Sequence, residues 1–317
     1  MIRPSVQAPA AIVMVRPYGF KVNTETAQDN AFQSHIGAAG PDIARRAYEE
    51  HSAMVAELEH HGVTVHLFEG ENTDTPDCVF PNNWFSTHAG GHVALYPMKA
   101  ENRRLERRPD IIEFLKTRYR VQDVIDYSGL EMDGLYLEGT GAMVLDHIER
   151  VAYAVGSDRT NPIALERFCT HFNFEPLVFP ATDGNGVSIY HTNVLMCIGT
   201  DFALLGAELI TDSARRHHVI ARLKASGREI INLSAAQIAA FAGNAIEVQG
   251  ADGRLLALSQ TAYDALTTDQ IARLEQVVSP IPLSVPTIEM AGGSVRCMIA
   301  GIHLTPRGSA APPQALA

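Results

Sequence analysis

The chain has 317 residues, of which 46% are hydrophobic and 19% are charged, and its formal net charge is −11. This length supports one large domain or two ordinary ones, and the acidic balance argues against a nucleic-acid partner, which requires clustered Lys and Arg. The four cysteines form no Cys-x-x-Cys pair, and the N-terminal apolar run 9–15 is too short to span a membrane. We therefore expect a cytoplasmic globular protein that binds neither nucleic acid nor membranes.

A predicted helix followed by a short turn and a strand recurs five times along the chain. The five predicted helix and strand pairs are 41–61 with 63–68, 110–118 with 121–125, 162–172 with 174–179, 213–226 with 229–233, and 268–278 with 280–285. Between them lie stretches typical of β-hairpins. These stretches are 79–96, 135–155, 192–209, 245–258, and the segment from 294 onward.

The last predicted hairpin lacks a good second strand before Pro306, and the apolar run 11–15 can supply that strand and close a ring. The sequence therefore predicts an α/β fold of five ββαβ modules, with strands that radiate about a pseudo-fivefold axis. An open doubly wound sheet is the alternative, but it requires single strands that alternate with helices. We expect residues 1–307 to form a single catalytic domain, 18–40 to be a polar active-site loop, and 308–317 to be a disordered tail.

Polar residues occur where each predicted hairpin begins, and equivalent strand ends converge near the axis of a closed ring. They include an imidazole, a carboxylate, several amides and a thiol, Cys297, which we expect at the start of a strand after a pair of glycines. The polar residues are Asp77, Asn83, Glu138, His191, Asn193, Asn244 and Cys297. Taken singly, each has an ordinary interpretation as a turn or core residue. Together they predict a nucleophilic catalyst, which needs a thiolate, a proton-transfer group and a group that orients it.

The ordered set Asp77…Asn83, Leu137-Glu138-Gly139, His191-Thr192-Asn193 and Gly292-Gly293…Cys297 resembles the guanidino-group modifying enzymes. That superfamily includes arginine deiminases, dimethylarginine dimethylaminohydrolases and amidinotransferases, and the resemblance extends from about residue 16 to 304. It implies a single-domain five-module ββαβ propeller of the pentein type, which agrees with the module count. The Phe-Pro-Asn-Asn-Trp run at 80–84 is most similar to the branch described as citrulline-utilisation hydrolases.

The resemblance implies a role for each matching residue and no metal or cofactor. Cys297 would attack the central carbon of a guanidino or ureido group, and His191 would protonate the leaving amine and then activate water. Glu138 would hold a substrate nitrogen or the imidazole in place. Asp77 matches a substrate-contacting aspartate. Arg103 and Arg159 match arginines that bind a substrate carboxylate, although both also fit solvated surface ion pairs.

The chain departs from arginine deiminases at two positions, where Asn83 and Asn193 replace aspartates that bracket a cationic guanidinium. An amide pair suits a neutral ureido group, because it offers both a donor and an acceptor. We therefore expect a hydrolase that converts citrulline to ornithine, ammonia and carbon dioxide, with a small molecule as its partner and a homodimer as the default assembly.

Three alternatives of the same superfamily act on a guanidino substrate: an arginine deiminase, a dimethylarginine dimethylaminohydrolase and an amidinotransferase. A non-catalytic propeller that only binds a ligand is an alternative of another class, because fold alone does not prove activity. A metal hydrolase is disfavoured, since the histidine pairs at 60–61 and 217–218 lack HExxH spacing.

Overall fold

The computed structural model of the protein describes residues 5–26, 30, 32–33, 41–71 and 74–308. Of the predicted loop 18–40, positions 27–29, 31 and 34–40 lie outside the described residues, as do positions 309–317 of the predicted tail 308–317. Fifteen strands occur in the described part of the chain: β1 Ala11–Arg16, β2 Thr64–Glu69, β3 Phe85–His88, β4 His92–Leu95, β5 Asp123–Asp126, β6 Met143–Asp146, β7 Val151–Val155, β8 Glu175–Phe179, β9 Met196–Ile198, β10 Phe202–Leu205, β11 Glu229–Asn232, β12 Ile246–Gln249, β13 Arg254–Ser259, β14 Ser279–Leu283 and β15 Ala300–Gly301.

The same described residues form ten α-helices: α1 Pro41–His60, α2 Glu101–Arg104, α3 Pro109–Arg118, α4 Gly139–Ala142, α5 Pro162–Phe172, α6 Ser213–Ala225, α7 Ala235–Ala239, α8 Gln260–Ala265, α9 Thr268–Leu274 and α10 Pro286–Glu289. They also form five 3₁₀ turns: Pro81–Asn83, Ser128–Asp133, Thr192–Val194, Ala207–Leu209 and Val295–Met298. Among these helices, none is long and apolar enough to cross a membrane.

The strands pair into five separate three-stranded sheets across the described residues, in the orders β15-β1-β2, β3-β4-β5, β6-β7-β8, β9-β10-β11 and β12-β13-β14. In every sheet the central strand pairs antiparallel with one neighbour and parallel with the other. A parallel pair needs a crossover connection, and a helix supplies it each time. The five predicted ββαβ modules are therefore present as five small sheets.

The N-terminal strand completes the last module, as predicted. Ile12 pairs with Gly301 and Val13 with Ala300 in an antiparallel ladder, while β1 pairs in parallel with β2 from Ala11 to Arg16. The first and last strands of the described chain thus share a sheet, and the fold joins residues nearly 290 positions apart in sequence.

Helix α1 shows how sequence pattern places a crossover helix. Ile43, Ala47, Met54 and Leu58 recur on one helical face and are all buried. Burial of each large apolar side chain contributes about 2 kcal/mol. The chain then turns at Gly62, which has a φ of +82° and would place a Cβ only 2.6 Å from the Cβ of Ala251. Glycine is required there, because any side chain would be both strained and obstructed.

The segments that precede the hairpins differ from the prediction. Cys297 does not begin a strand, since it lies in the 3₁₀ turn Val295–Met298, and β15 is only two residues long. Equivalent short helical turns precede β3, β6 and β9, at Pro81–Asn83, α4 and Thr192–Val194. These turns were missed because three or four residues show no resolvable 3.6-residue periodicity.

Candidate active site

The short turns at the starts of the hairpins bring the predicted site residues to one buried cavity. Asp77, Asn83, Arg103, Arg159, His191 and Cys297 line it, together with Thr26, Asn30, Phe80, Tyr190, Ala291 and Gly293. The two other predicted residues, Glu138 and Asn193, lie directly behind this lining and contact His191 and Cys297 respectively. All eight predicted residues are therefore in one cluster, and all are at least 97% buried.

His191 and Glu138 form a buried pair at the side of this cavity. Nε2 of His191 lies 2.8 Å from Oε2 of Glu138, and the backbone N–H of Lys99 donates to Oε1 at 3.0 Å. Burial lowers the pKa of His191 to about 4, although the hydrogen bond to Glu138 opposes this shift. The imidazole is therefore neutral at pH 7, which leaves it free to accept a proton.

Glu138 is held as a carboxylate by its neighbours. Burial alone raises its pKa, but Arg159, the bond from His191 and Arg103 outweigh burial and hold the pKa below its ordinary value. Nη1 of Arg159 lies 3.4 Å from Oε2, and Nη1 of Arg103 lies 3.8 Å away. A permanently ionised Glu138 fixes the orientation of the imidazole and stabilises its protonated form.

Two side-chain amides point at the sulfur of Cys297. Nδ2 of Asn193 and Nδ2 of Asn244 each lie 3.2 Å from Sγ. Asn244 is itself fixed, because its Oδ1 accepts from the backbone N–H of Arg296 and its Nδ2 also reaches the carbonyl of Asn193. These two amide donors hold the sulfur in place and can stabilise negative charge that develops on it during attack.

Arg103 lies in the wall of the cavity and is not a solvated surface residue. Its Nε and Nη2 donate to the two carboxylate oxygens of Glu106 at 2.9 Å each, and its Nη1 donates to Oδ1 of Asn83 at 3.0 Å. Because a guanidinium can only donate, this contact sets the amide orientation of Asn83 and directs its Nδ2 elsewhere. This bidentate contact with Glu106, together with the contact with Asn83, engages the guanidinium of Arg103 with side chains of the protein itself.

Arg159 is also buried, so the alternative interpretation of this residue as part of a solvated surface ion pair is wrong too. Its guanidinium carbon lies 4.8 Å from the centroid of the Tyr190 ring, and Tyr190 Oη donates to the carbonyl of Gly292 at 2.5 Å. Arg159 lines both the inner cavity and an outer pocket of about 320 Å³ that includes Thr24, Glu25 and Lys99. Arg159 therefore lies between the inner cavity and the outer pocket.

The described part of the polar loop covers the inner cavity. Asn23 donates to Oδ2 of Asp77 at 2.8 Å, and Asn30 donates to the carbonyl of Ala291 at 3.2 Å. The cavity volume is about 20 Å³, room for one or two water molecules. A cavity of this volume is too small for an amino acid.

Three polar atoms around the cavity have no hydrogen-bond partner among the described residues: Oδ1 of Asp77, Nδ2 of Asn83 and Oδ1 of Asn193. Burial raises the pKa of Asp77 above its ordinary value, although Arg103 opposes the shift. Buried polar groups without partners are costly, so unpaired atoms clustered at a cavity indicate where a ligand binds. No set of three His, Cys, Asp or Glu side chains in the described ranges is arranged to hold a metal ion.

Two residues with clear contacts in this site were given no role from sequence. Asn244 was placed on the convergent rim, but only the fold shows that its amide faces sulfur. Glu106 was missed altogether, although its spacing of three residues from Arg103 is that of a helical ion pair. Four neighbouring arginines at 103, 104, 107 and 108 obscured that signal, because any of them could pair with Glu106.

Comparisons with known proteins find a family model that matches the sequence and solved structures that share the fold. A family model described as N,N dimethylarginine dimethylhydrolase, eukaryotic, matches residues 16–304. Unliganded ArgZ, an arginine dihydrolase from the ornithine-ammonia cycle in cyanobacteria, superposes with a TM-score of 0.72 at 17% identity, over 92% of this chain and 40% of ArgZ. Its substrate-bound N-terminal domain gives 0.72 at 18% identity, over 92% and 97% of the two chains. A dimethylarginine dimethylaminohydrolase adduct with S-methyl-L-thiocitrulline gives 0.61 at 15% identity, over 92% and 99%.

The chain thus spans about two fifths of full-length ArgZ and nearly all of that protein's N-terminal domain. At sequence identities this low, the superpositions show a shared fold, and the family model shows which family the chain belongs to. A search of curated protein sequences finds no significant match.

The family model and the shared fold together place the chain in the guanidino-modifying (pentein) superfamily. The chain belongs to the family whose model is described as N,N dimethylarginine dimethylhydrolase, eukaryotic. The superfamily resemblance is confirmed, and the citrulline-utilisation branch stays a prediction.

Proposed function

We propose that this protein hydrolyses the ureido group of citrulline to give ornithine, ammonia and carbon dioxide. The proposal rests on two buried amide atoms that have no hydrogen-bond partner among the described residues, Nδ2 of Asn83 and Oδ1 of Asn193. One is a donor and the other an acceptor, which matches the carbonyl oxygen and the NH2 of a neutral ureido group. A carboxylate at both positions would instead suit a cation.

The remaining groups of the cavity fit the amino-acid end of such a substrate. Oδ1 of Asp77 has no partner among the described residues and accepts the α-ammonium group, while Arg159, at the outer wall, binds the α-carboxylate. Arg103 acts through Asn83, because its donors already contact Glu106 and Asn83. This division assigns substrate contact to Arg159 and a positioning role to Arg103.

The reaction follows as two displacements at Cys297. The sulfur attacks the ureido carbon, the thiol proton passes to neutral His191, and His191 delivers it to the departing δ-amine of ornithine. Cys297 then carries a carbamoyl group. Water attacks this group while His191 takes a proton from the water, and the thiol leaves as carbamate forms. Carbamate breaks down to ammonia and carbon dioxide, so every atom of the ureido group is accounted for.

The fold supports the proposal through its five small sheets and the polar loop beside the site. We interpret the five sheets as the blades of a propeller, which one catalytic domain forms over residues 1–307. The axis of this propeller passes close to the short turns that carry the site. Residues 18–40 act as the active-site loop, since its described residues Asn23 and Asn30 hydrogen-bond Asp77 and the carbonyl of Ala291 at the cavity.

Arginine is a second candidate substrate, and the charge of the site favours it. Three buried carboxylates, Asp77, Glu106 and Glu138, face two guanidinium groups, Arg103 and Arg159. When all are ionised the site carries one excess negative charge, which a guanidino substrate would neutralise. The structural relatives described as an arginine dihydrolase and a dimethylarginine dimethylaminohydrolase act on guanidino groups by name.

A paired assay separates the two substrates. Purified protein is incubated with citrulline or with arginine, and ornithine, citrulline and ammonia are measured beside a Cys297→Ala control. We expect ornithine from citrulline and none from the control. Citrulline formed from arginine would show that Asn83 and Asn193 admit a cation. Turnover of neither substrate would refute the proposal.

The order of bond breaking is tested by mass spectrometry of enzyme quenched during turnover of citrulline. We expect a carbamoyl-sized addition on Cys297, because the ornithine amine leaves first. An addition of citrulline less ammonia would contradict this order.

A further inference from the structure

Glu106 belongs to the surroundings of the site but does not face the catalytic cavity. It is buried, and it lines a separate small cavity together with Thr75 and Cys78. The catalytic cavity is lined by Arg103 instead. Glu106 therefore lies behind Arg103 as seen from the catalytic cavity, with that guanidinium between it and a bound substrate.

Local structure brings the carboxylate of Glu106 to Arg103. Arg103 belongs to α2, and Glu106 follows three residues later, with its backbone N–H donating to the carbonyl of Arg103 at 3.1 Å. The two carboxylate oxygens accept from Nε and Nη2 of Arg103, each at 2.9 Å. A bidentate contact of this kind fixes the plane of a guanidinium as well as its position.

Two other carboxylates compete with Glu106 for the same guanidinium. Nε of Arg103 lies 3.6 Å from Oδ2 of Asp77, and Nη1 lies 3.8 Å from Oε2 of Glu138. Both distances are too long for a hydrogen bond, so the bidentate contact holds the guanidinium away from these two acceptors. Nη1 is thereby left to donate to Oδ1 of Asn83 at 3.0 Å.

The contact with Arg103 determines which atom Asn83 offers to a substrate. Because a guanidinium only donates, Oδ1 of Asn83 must face Arg103, and Nδ2 is the atom left without a partner among the described residues. A ureido group has a carbonyl oxygen that accepts from Nδ2. A guanidinium has donors on all three of its nitrogens and no acceptor for Nδ2.

We propose that Glu106 is a specificity-determining positioning residue, which holds Arg103 on Asn83 and so makes the site select a neutral ureido group over a guanidinium. This inference rests on the proposed function, since it explains how the same site distinguishes citrulline from arginine. Glu106 acts through orientation, and its charge has the opposite effect. A buried carboxylate attracts a cationic substrate, so the charge of Glu106 alone would favour arginine.

Glu106→Gln separates orientation from charge, because the two effects have opposite signs. Glutamine keeps the shape of the side chain, but its NH2 opposes one donor of Arg103, so the bidentate contact is lost and the guanidinium moves toward Asp77 or Glu138. Asn83 is then released and turns Oδ1 toward the substrate. We expect the Kd for arginine divided by the Kd for citrulline to fall about tenfold. An effect of charge would raise this ratio, and a purely structural role would leave it unchanged.

Isothermal titration calorimetry at pH 8 measures both affinities in the Cys297→Ala background, where no turnover occurs. Burial raises the pKa of Glu106 to about 7, although Arg103 opposes this shift, so the carboxylate is ionised at pH 8. Glu49→Gln removes the carboxylate from an exposed pair with Arg45, and as the matched control it should leave the ratio unchanged.

Two further variants test the route through Asn83. Asn83→Asp has two equivalent acceptor oxygens and no orientation to fix, so the addition of Glu106→Gln to it should not lower the ratio further. Arg103→Met combined with Glu106→Met is needed if Glu106→Gln fails to fold, because apolar side chains often replace a buried ion pair without loss of stability. This double variant leaves the net charge unchanged and removes the donor to Asn83, so it should lower the ratio as well.

A ratio that rises or stays constant in the folded Glu106 variants overturns the inference, as does a Cys297→Ala protein that binds neither ligand. Turnover of citrulline by the wild type tests the proposed function separately. Ornithine release together with a constant ratio would refute the inference alone. A fall in the ratio without any turnover would refute the proposed function and leave the inference in place.

Discussion

At the scale of single residues, the candidate site contains amides beside the three ionisable groups to which we assign catalysis. Asn193 and Asn244 both face Sγ of Cys297 from 3.2 Å. Asn83 presents a free donor only because Arg103 occupies its oxygen. Amides supply direction without adding a charge that must itself be compensated, which suits a site already crowded with buried ions.

Asn244→Ala should slow catalysis by roughly tenfold to a hundredfold, because a hydrogen bond to an ionised group contributes about 1.5–3 kcal/mol. The rate of Cys297 alkylation by iodoacetamide at pH 7 should fall in parallel, since one of the two amide donors to the attacking sulfur is lost. A variant that lost activity but kept the wild-type alkylation rate would show that Asn244 has only a structural role. Asn185→Ala, at an exposed turn, is the control and should change neither rate.

At the scale of elements, the one-turn helices set the spacing of the site. In α4, a Cβ at Gly141 would come within 2.2 Å of Nδ2 of Asn83 and 2.8 Å of Nδ1 of His191. The glycine therefore allows α4 to pack directly against two proposed active-site side chains. Glu138 is the N-cap residue of the same helix. One short helix therefore positions the Glu138 carboxylate and, through Gly141, leaves room for the imidazole of His191 that this carboxylate orients.

Gly141→Ala should reduce kcat/KM by about a hundredfold or more, because displacement of His191 by an ångström disrupts proton transfer. Gly129→Ala is the matched control, since no atom lies within 4 Å of the added methyl group, and it should be fully active. The assay is ornithine release from citrulline, with circular dichroism to verify folding. Equal activity of the two folded variants would contradict the tight packing of α4 against His191.

At the scale of the whole molecule, folding buries histidines that must remain neutral. His51 of α1 is fully buried, and neither of its ring nitrogens has a partner among the described residues. Burial lowers its pKa from 6.5 to about 3, as burial lowers that of His191 to about 4. The unfolded chain takes up protons on these rings below pH 6.5, while the folded protein does not.

The free energy of unfolding should therefore be highest above pH 6.5 and fall as the pH drops toward 4, by on the order of 3 kcal/mol for each such histidine. Urea unfolding at pH 7.0, 5.5 and 4.5 measures this loss. His51→Leu fills the same core position without a titrating group, so its stability should fall less over the same range. Parallel pH profiles for the two proteins would show that His51 does not contribute.

The repeated pattern of helix and strand was readable from sequence because each module satisfies its own local rules. The predicted helix over 162–172 coincides with α5, where Asn161 caps the first turn and Asn173 adopts the left-handed conformation that ends it. The partnership of β1 with β15 was also predictable, since the final hairpin lacked a strand and the N-terminus offered one. Signals for helix ends lie within a few residues of one another. The pairing of β1 with β15 follows from counting the strands available to each hairpin.

The sequence by itself also determined which residues belong to the site, because thiol, imidazole, carboxylate and amides recur at one place in successive modules. Only the tertiary structure decided how they are paired. It assigned Arg103 to Glu106 and Asn83, and it gave Asn244 a contact with sulfur. The physical reason is that pairing, burial and pKa depend on distances of a few ångströms between residues from different modules, and no local sequence pattern encodes such distances.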